Sequence, residues 1–186
     1  MKIDKNFFIE NIKTLFFALV IAIFIRSLFF QPFYIPSSSM EPNLLVADRI
    51  FVTKYTYGYS KHSFPFSPKL FNGRVFFNSP ERGDVVVFKT PADNRTDYIK
   101  RLIGLPGDRI QFIDGEIYLN EAQIFKSIIS ENFNLFCGNR NFSAKIFEEK
   151  LPNGKIYNAG YAKSNSFKNS DKFIFPEDHY FFLGDN

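Results

Sequence analysis

Residues Leu15 to Ile25 (LFFALVIAIFI) are unbroken apolar sequence, and this run constrains the chain more than any other feature. Arg26 and Ser27 interrupt it, and Leu28-Phe29-Phe30 resume it. A helix that crosses a bilayer needs roughly 20 largely apolar residues. The stretch from Ile12 to Phe30 reaches that length and predicts a transmembrane helix over 12–30, with the long Arg26 side chain reaching back to the headgroups. A cleaved leader fits less well, because Gln31-Pro32-Phe33-Tyr34-Ile35-Pro36 offers no small-residue cleavage pattern. A buried core helix fits less well so near the N-terminus. Lys2, Lys5 and Lys13 precede the run, and positive charge stays cytoplasmic. The expectation is a short cytoplasmic N-terminus over 1–11, a single span of the inner (plasma) membrane, and an extracytoplasmic domain over 31–186.

That domain reads as mostly β. Arg49–Tyr55 alternates and is rich in strand formers. Asp84–Lys89 (DVVVFK) and Asp97–Ile103 (DYIKRLI) are strand patterns, and Gly104-Leu105-Pro106-Gly107 is a turn. Arg109–Ile113 and Glu116–Leu119 flank Asp114-Gly115, a type I′ hairpin signal. His179–Leu183 is a short strand leading into Gly184-Asp185-Asn186. Residues 121–172 are polar, rich in Asn, Lys and Phe, and read as an insertion that carries some strands. The fold class is therefore all-β, mostly antiparallel, with one N-terminal transmembrane helix.

Composition narrows the chemistry. With 23 basic and 19 acidic residues the chain is mildly basic, which suits an anionic membrane surface. The basic residues are scattered rather than striped, which argues against nucleic acid. Cys137 is the sole cysteine, so neither an internal disulfide nor a paired-cysteine metal site is indicated. Cys137, His62 and His179 sit in contexts that suit structural or surface roles.

Three segments stand out. Pro36-Ser37-Ser38-Ser39-Met40-Glu41-Pro42, taken alone, is a turn signal. Glu81-Arg82-Gly83-Asp84-Val85 is a turn feeding a strand. Tyr98-Ile99-Lys100-Arg101 sets a lysine in apolar strand surroundings, and its plain reading is an edge-strand lysine pointing to water. In this order, behind an apolar anchor, the three together resemble type I signal peptidases. The Ser-Met-x-Pro, Arg-Gly-Asp-Val and Lys-Arg…Gly-Leu-Pro-Gly-Asp motifs carry the likeness, and 121–172 carries the least of it. The resemblance implies a β core of the Ser/Lys-peptidase barrel type, with Ser39 as nucleophile and Lys100 as general base.

The pairing is physically coherent. A serine hydroxyl needs an adjacent base, and a lysine serves only when its surroundings disfavour the ammonium. The resemblance also implies an oxyanion hole from the Ser39 N–H and the Ser37 hydroxyl. It implies shallow pockets lined by Ile35, Met40, Leu44, Tyr98 and Ile99, with Phe33 beside them and Phe33 and Tyr34 resting on lipid. The partners implied are precursor proteins bearing signal peptides, cut after a small-x-small pattern, and the lipid bilayer. No nucleic acid, metal or organic cofactor is implied. Two positions depart from the pattern. Ser38 stands where the family has Gly, a change that stiffens the turn and is tolerated with the side chain pointing to solvent. Asn43 stands where the family has Thr. The family also continues past Gly-Asp-Asn into an Arg-x-x-Ser-x-Asp-Ser-Arg-like stretch, so residues 1–186 alone are expected to be weakly active or inactive. A non-catalytic remnant that binds exported segments stays open beside the peptidase.

Overall fold

The computed structural model describes residues 5–68, 72–137, 140–162 and 168–186. Lys2 and the Cys137 side chain lie outside them. Helix α1 spans Lys5–Leu28, beginning earlier than the apolar run. Phe7, Phe8 and Ile9 extend the apolar surface past Glu10 and Asn11. The helix absorbs the intervening polar groups locally, with Asn11 donating to the Phe7 carbonyl at 2.9 Å and Thr14 to that of Glu10 at 3.0 Å. Its end, two residues short of Phe30, follows from Pro32, which lacks an N–H and disfavours helix at the residue before it. The 23 residues Asn6–Leu28 are long and apolar enough to cross a membrane, spanning about 35 Å at 1.5 Å per residue. The helix is exposed all round from residue 6 to 26, unlike the core helix of a soluble domain.

The chain divides into two compact units, one formed by the chain through Phe33 with Arg49–Ser79, the other by Tyr34–Asp48 with Pro80–Asn186. In the first, β1 (Phe30–Tyr34) pairs with β2 (Arg49–Thr53). The end of the helix is tied down by the Lys54 N–H on the Phe29 carbonyl and the Tyr59 hydroxyl on the Leu28 carbonyl, both at 2.9 Å. Tyr59 in turn pairs antiparallel with Val75.

In the second unit, β3 (Val85–Lys89) and β4 (Asp97–Gly104) form an antiparallel pair. Then β5 (Arg109–Ile113) and β6 (Glu116–Leu119) make the expected hairpin. Asp114 and Gly115 have φ of +50° and +82°, the left-handed pair that a type I′ turn demands. The turn before it is held by the Asp108 carboxylate, which accepts the Leu105 N–H at 2.6 Å and pairs with Arg82 at 2.8 Å. After the short β7 (Ala122–Gln123) come three long strands, β8 (Phe125–Cys137), β9 (Arg140–Lys150) and β10 (Ile156–Ala162). Two short strands follow, β11 (Phe173–Ile174) and β12 (Phe181–Leu183). The sheets run β10-β9-β8, β11-β5-β6-β7 and β12-β4-β3, and every named pairing in this unit is antiparallel.

The core joins Ile103, Ile110, Ile117, Leu119, Ile124, Leu151, Tyr157 and Ala159. Half of these come from residues 121–172, so that region is woven into the core. Burying such side chains contributes roughly 1.5–3 kcal/mol each.

Candidate active site

Lys100 lies on β4, which is the central strand of its sheet, not an edge. Val86 of β3 stands opposite it. On the other side β12 ends with Leu183 paired to Arg101, so the next residue, Gly184, comes alongside Lys100. A Cβ placed on Gly184 would lie 3.2 Å from Lys100 Nζ and would overlap the Ser39 carbonyl oxygen. The Ser39 backbone and the Lys100 amine thus meet around a residue that has no side chain. Lys100 is half-buried, and desolvation pulls its pKa below the ordinary 10.5, against the opposing pull of the Asp185 carboxylate.

Asp185 is buried and accepts two parallel bonds from Arg101, Nε and Nη2, each at 2.7 Å. Arg101 also donates to the Gly83 carbonyl at 2.8 Å, and its guanidinium lies 4.4 Å from the centre of the Tyr157 ring. Asn43 donates to Asp185 Oδ2 at 2.7 Å and to the Asn158 carbonyl at 2.6 Å. The Gly160 N–H reaches the Asp185 carbonyl at 2.6 Å. One residue, Asp185, therefore links the strand of Lys100 and the turn of Ser39 through its carboxylate and β10 through its carbonyl.

Ser39 is partly buried, with Ser37 Oγ 3.3 Å from its own Oγ. The Ser38 carbonyl accepts the Glu41 N–H at 2.8 Å and the Asn186 side-chain amide at 3.0 Å. A trans peptide points its N–H opposite to its carbonyl. Fixing the Ser38 carbonyl from two sides therefore fixes the direction of the Ser39 N–H, which donates to no other group among the described residues. Such a preset donor suits a developing oxyanion. Ser38 itself is only 7% exposed, so its side chain is not in the solvent-facing placement that would tolerate the change from Gly. The turn packs this side chain inward along with Met40 and Glu41.

The remaining expected residues divide. Ile35 and Met40 are fully buried, Leu44 and Ile99 half-buried, and Tyr98 exposed. Phe33 is half-buried on β1 in the other unit, and Tyr34 is exposed. His62 is half-buried with Nδ1 3.0 Å from Ser67 Oγ, and the exposed His179 donates from Nδ1 to the Glu177 carbonyl at 3.0 Å. Sequence reading missed the roles of Asp185, Arg101 and Asn186. Their signal was the Arg directly after the lysine and the Gly-Asp-Asn after a buried strand.

It also missed Glu149. This residue is 1% exposed and accepts hydrogen bonds from the Tyr157 and Tyr161 hydroxyls. Burial first and the Glu149 charge second push both phenols well above the ordinary tyrosine range. Nothing in a Lys/Glu-rich strand marks that glutamate as internal.

Residues 8–186 match the family model described as signal peptidase, peptidase S26. The chain is 45% identical over 179 residues to "Signal peptidase I" of Rickettsia prowazekii (strain Madrid E), covering 91% of this chain and 66% of that protein. It is 45% identical over 180 residues to "Signal peptidase I" of Rickettsia typhi, with the same coverage of each. It is 42% identical over 183 residues to that of Rickettsia bellii (strain OSU 85-389), covering 94% and 62%. The chain belongs to the signal peptidase S26 family. It spans just under two thirds of the length of these relatives.

Proposed function

We propose that this chain carries the anchor and nucleophile-base core of a signal peptidase I, an endopeptidase that removes signal peptides from exported precursors. The observation that carries the reading is the convergence of the Ser39 backbone and the Lys100 amine on Gly184, in a chain 45% identical to proteins of that name. Neutral Lys100 takes the Ser39 hydroxyl proton as Oγ attacks the scissile carbonyl carbon. The resulting oxyanion is held by the Ser39 N–H and the Ser37 hydroxyl. The tetrahedral intermediate collapses to a Ser39 ester, and the Lys100 ammonium gives its proton to the departing amine. Water then attacks the ester with Lys100 again as base, which frees the signal peptide's carboxylate and restores the serine.

The substrate backbone binds extended, as an added strand. Ile35, Leu44, Met40, Tyr98 and Ile99 shape pockets for small side chains before the cut. Of these, the half-buried Leu44 and Ile99 are suited to direct contact, while the buried Ile35 and Met40 act from beneath. Helix α1 holds enzyme and precursor in one plane, with the N-terminal lysines cytoplasmic and the β domain on the outer side.

The test is cleavage of a signal-bearing precursor by the protein reconstituted in vesicles. Ser39→Ala should abolish cleavage while leaving the circular dichroism unchanged. Undiminished cleavage by Ser39→Ala would overturn the reading, and precursor binding without cleavage by the unmodified protein would favour the remnant.

A further inference from the structure

Glu149 is a buried titratable group that the proposed chemistry leaves unused. Burying a carboxylate is costly without partners, and the usual partner is a cation. Lys126 stands directly opposite Glu149 on β8, yet its amine pairs with Glu116 at 2.7 Å. Glu149 takes the Tyr157 and Tyr161 hydroxyls instead, one on each carboxylate oxygen. Tyr157 stands directly opposite Glu149 on β10, and Tyr161 lies further along the same strand.

Each of those phenols carries a cation on its ring. The Arg101 guanidinium lies 4.4 Å from the centre of the Tyr157 ring, and the Lys126 amine 4.2 Å from that of Tyr161. A carboxylate that accepts a phenol's hydrogen bond pushes electron density into the ring and strengthens its hold on a cation. The two branches end differently. The Tyr161 branch runs through Lys126 to Glu116. The Tyr157 branch runs to the site. There Arg101 presents Nε and Nη2 to Asp185 and Nη1 to the Gly83 carbonyl, so its edges are engaged while its face rests on the ring.

We propose that Glu149 is a positioning residue for the Ser39-Lys100 pair: through the Tyr157 hydroxyl it sets the ring beneath Arg101, and so keeps Arg101 aligned on the Asp185 carboxylate. The inference rests on the peptidase reading of that pair. Asp185 is the charged group that acts on Lys100 from outside β4. Val86 opposite and Gly184 alongside bring no charge. Arg101, next to Lys100 on β4, offsets the Asp185 charge. When its alignment is lost, Asp185 steadies the Lys100 ammonium, and the free base forms only at higher pH.

The test compares Tyr157→Phe with Tyr161→Phe in the full chain reconstituted in vesicles. Each removes one hydroxyl from the same carboxylate and keeps its ring, so a purely structural Glu149 predicts like effects. Lys100 is read directly, from the pH dependence of its acetylation by trace acetic anhydride, followed by mass spectrometry of its peptide. Cleavage of a signal-bearing precursor is read as kcat/KM over the same pH range. In Tyr157→Phe both midpoints should rise by roughly half a pH unit, a roughly threefold loss of kcat/KM below the limb that closes above it. In Tyr161→Phe neither should move. Glu149→Gln should shift them as Tyr157→Phe does, and the double variant no further than either alone. Midpoints unmoved in Tyr157→Phe, or moved equally by both tyrosine variants, overturn the inference while Ser39→Ala still abolishes cleavage. A Ser39→Ala protein that cleaves undiminished overturns the peptidase reading and the inference with it.

Discussion

The two compact units use their polar and aromatic residues in opposite ways. In the unit containing Pro80–Asn186, charges turn inward: Arg101 and Asp185 pair with side-chain exposures of 10% and 0%, and Glu149 is enclosed by two tyrosines. In the other unit, the stretch Arg49–Ser79 has no Asp or Glu and leaves Phe51, Tyr55, Phe66, Phe76 and Phe77 exposed. The difference teaches that the Ser39-Lys100 geometry depends on buried, directional bonds. The other unit depends on what its surface meets.

The sharpest way to break this comparison is Asp185→Ala. It strands the buried Arg101 guanidinium and frees Asn43, so stability should fall by about 3–5 kcal/mol. Urea unfolding followed by circular dichroism reads this directly, and a loss below about 1 kcal/mol would deny the carboxylate its linking role. Gly184→Ala comes next. Its methyl group pushes on the Ser39 carbonyl and crowds Lys100 Nζ, so cleavage should slow by roughly 100-fold with the unfolding midpoint little changed. Tyr157→Phe keeps the ring beneath Arg101 but removes one donor to Glu149, for a loss of about 1–2 kcal/mol. The smallest effect belongs to the outward unit. Phe66→Ser should alter stability by less than about 0.5 kcal/mol, and a large loss there would show that the ring packs inward.

How much of this was legible in the sequence varies with the physics of each element. The β5-β6 hairpin was readable to the residue because Asp114-Gly115 dictates its own turn. Strands β3 and β4 were readable because Val85-Val86-Val87 and Ile99–Ile103 leave few alternatives. The start of α1 was not, since Glu10 and Asn11 break the apolar run while leaving the helix intact. Strands β8 to β10 were the least readable. They bury Ala144, Ile146 and Glu149 among exposed Asn, Lys and Phe, so no clean alternation appears.

In the site, Ser39 and Lys100 were picked out by motif. Their convergence on Gly184, the locked Ser38 carbonyl and the sharing of Asp185 by Arg101 and Asn43 are contacts between distant segments. Local sequence does not encode such contacts in a readable form.

The central claim is that Lys100 is the base that activates Ser39, and the pH dependence of kcat/KM for precursor cleavage tests it most directly. Only the neutral amine accepts the serine proton, so activity should rise with pH as Lys100 deprotonates. Because burial lowers the Lys100 pKa, the acid limb should have its midpoint below the ordinary 10.5, and Lys100→Met should abolish cleavage along with the limb. An acid limb that persists in a cleaving Lys100→Met protein would contradict the account.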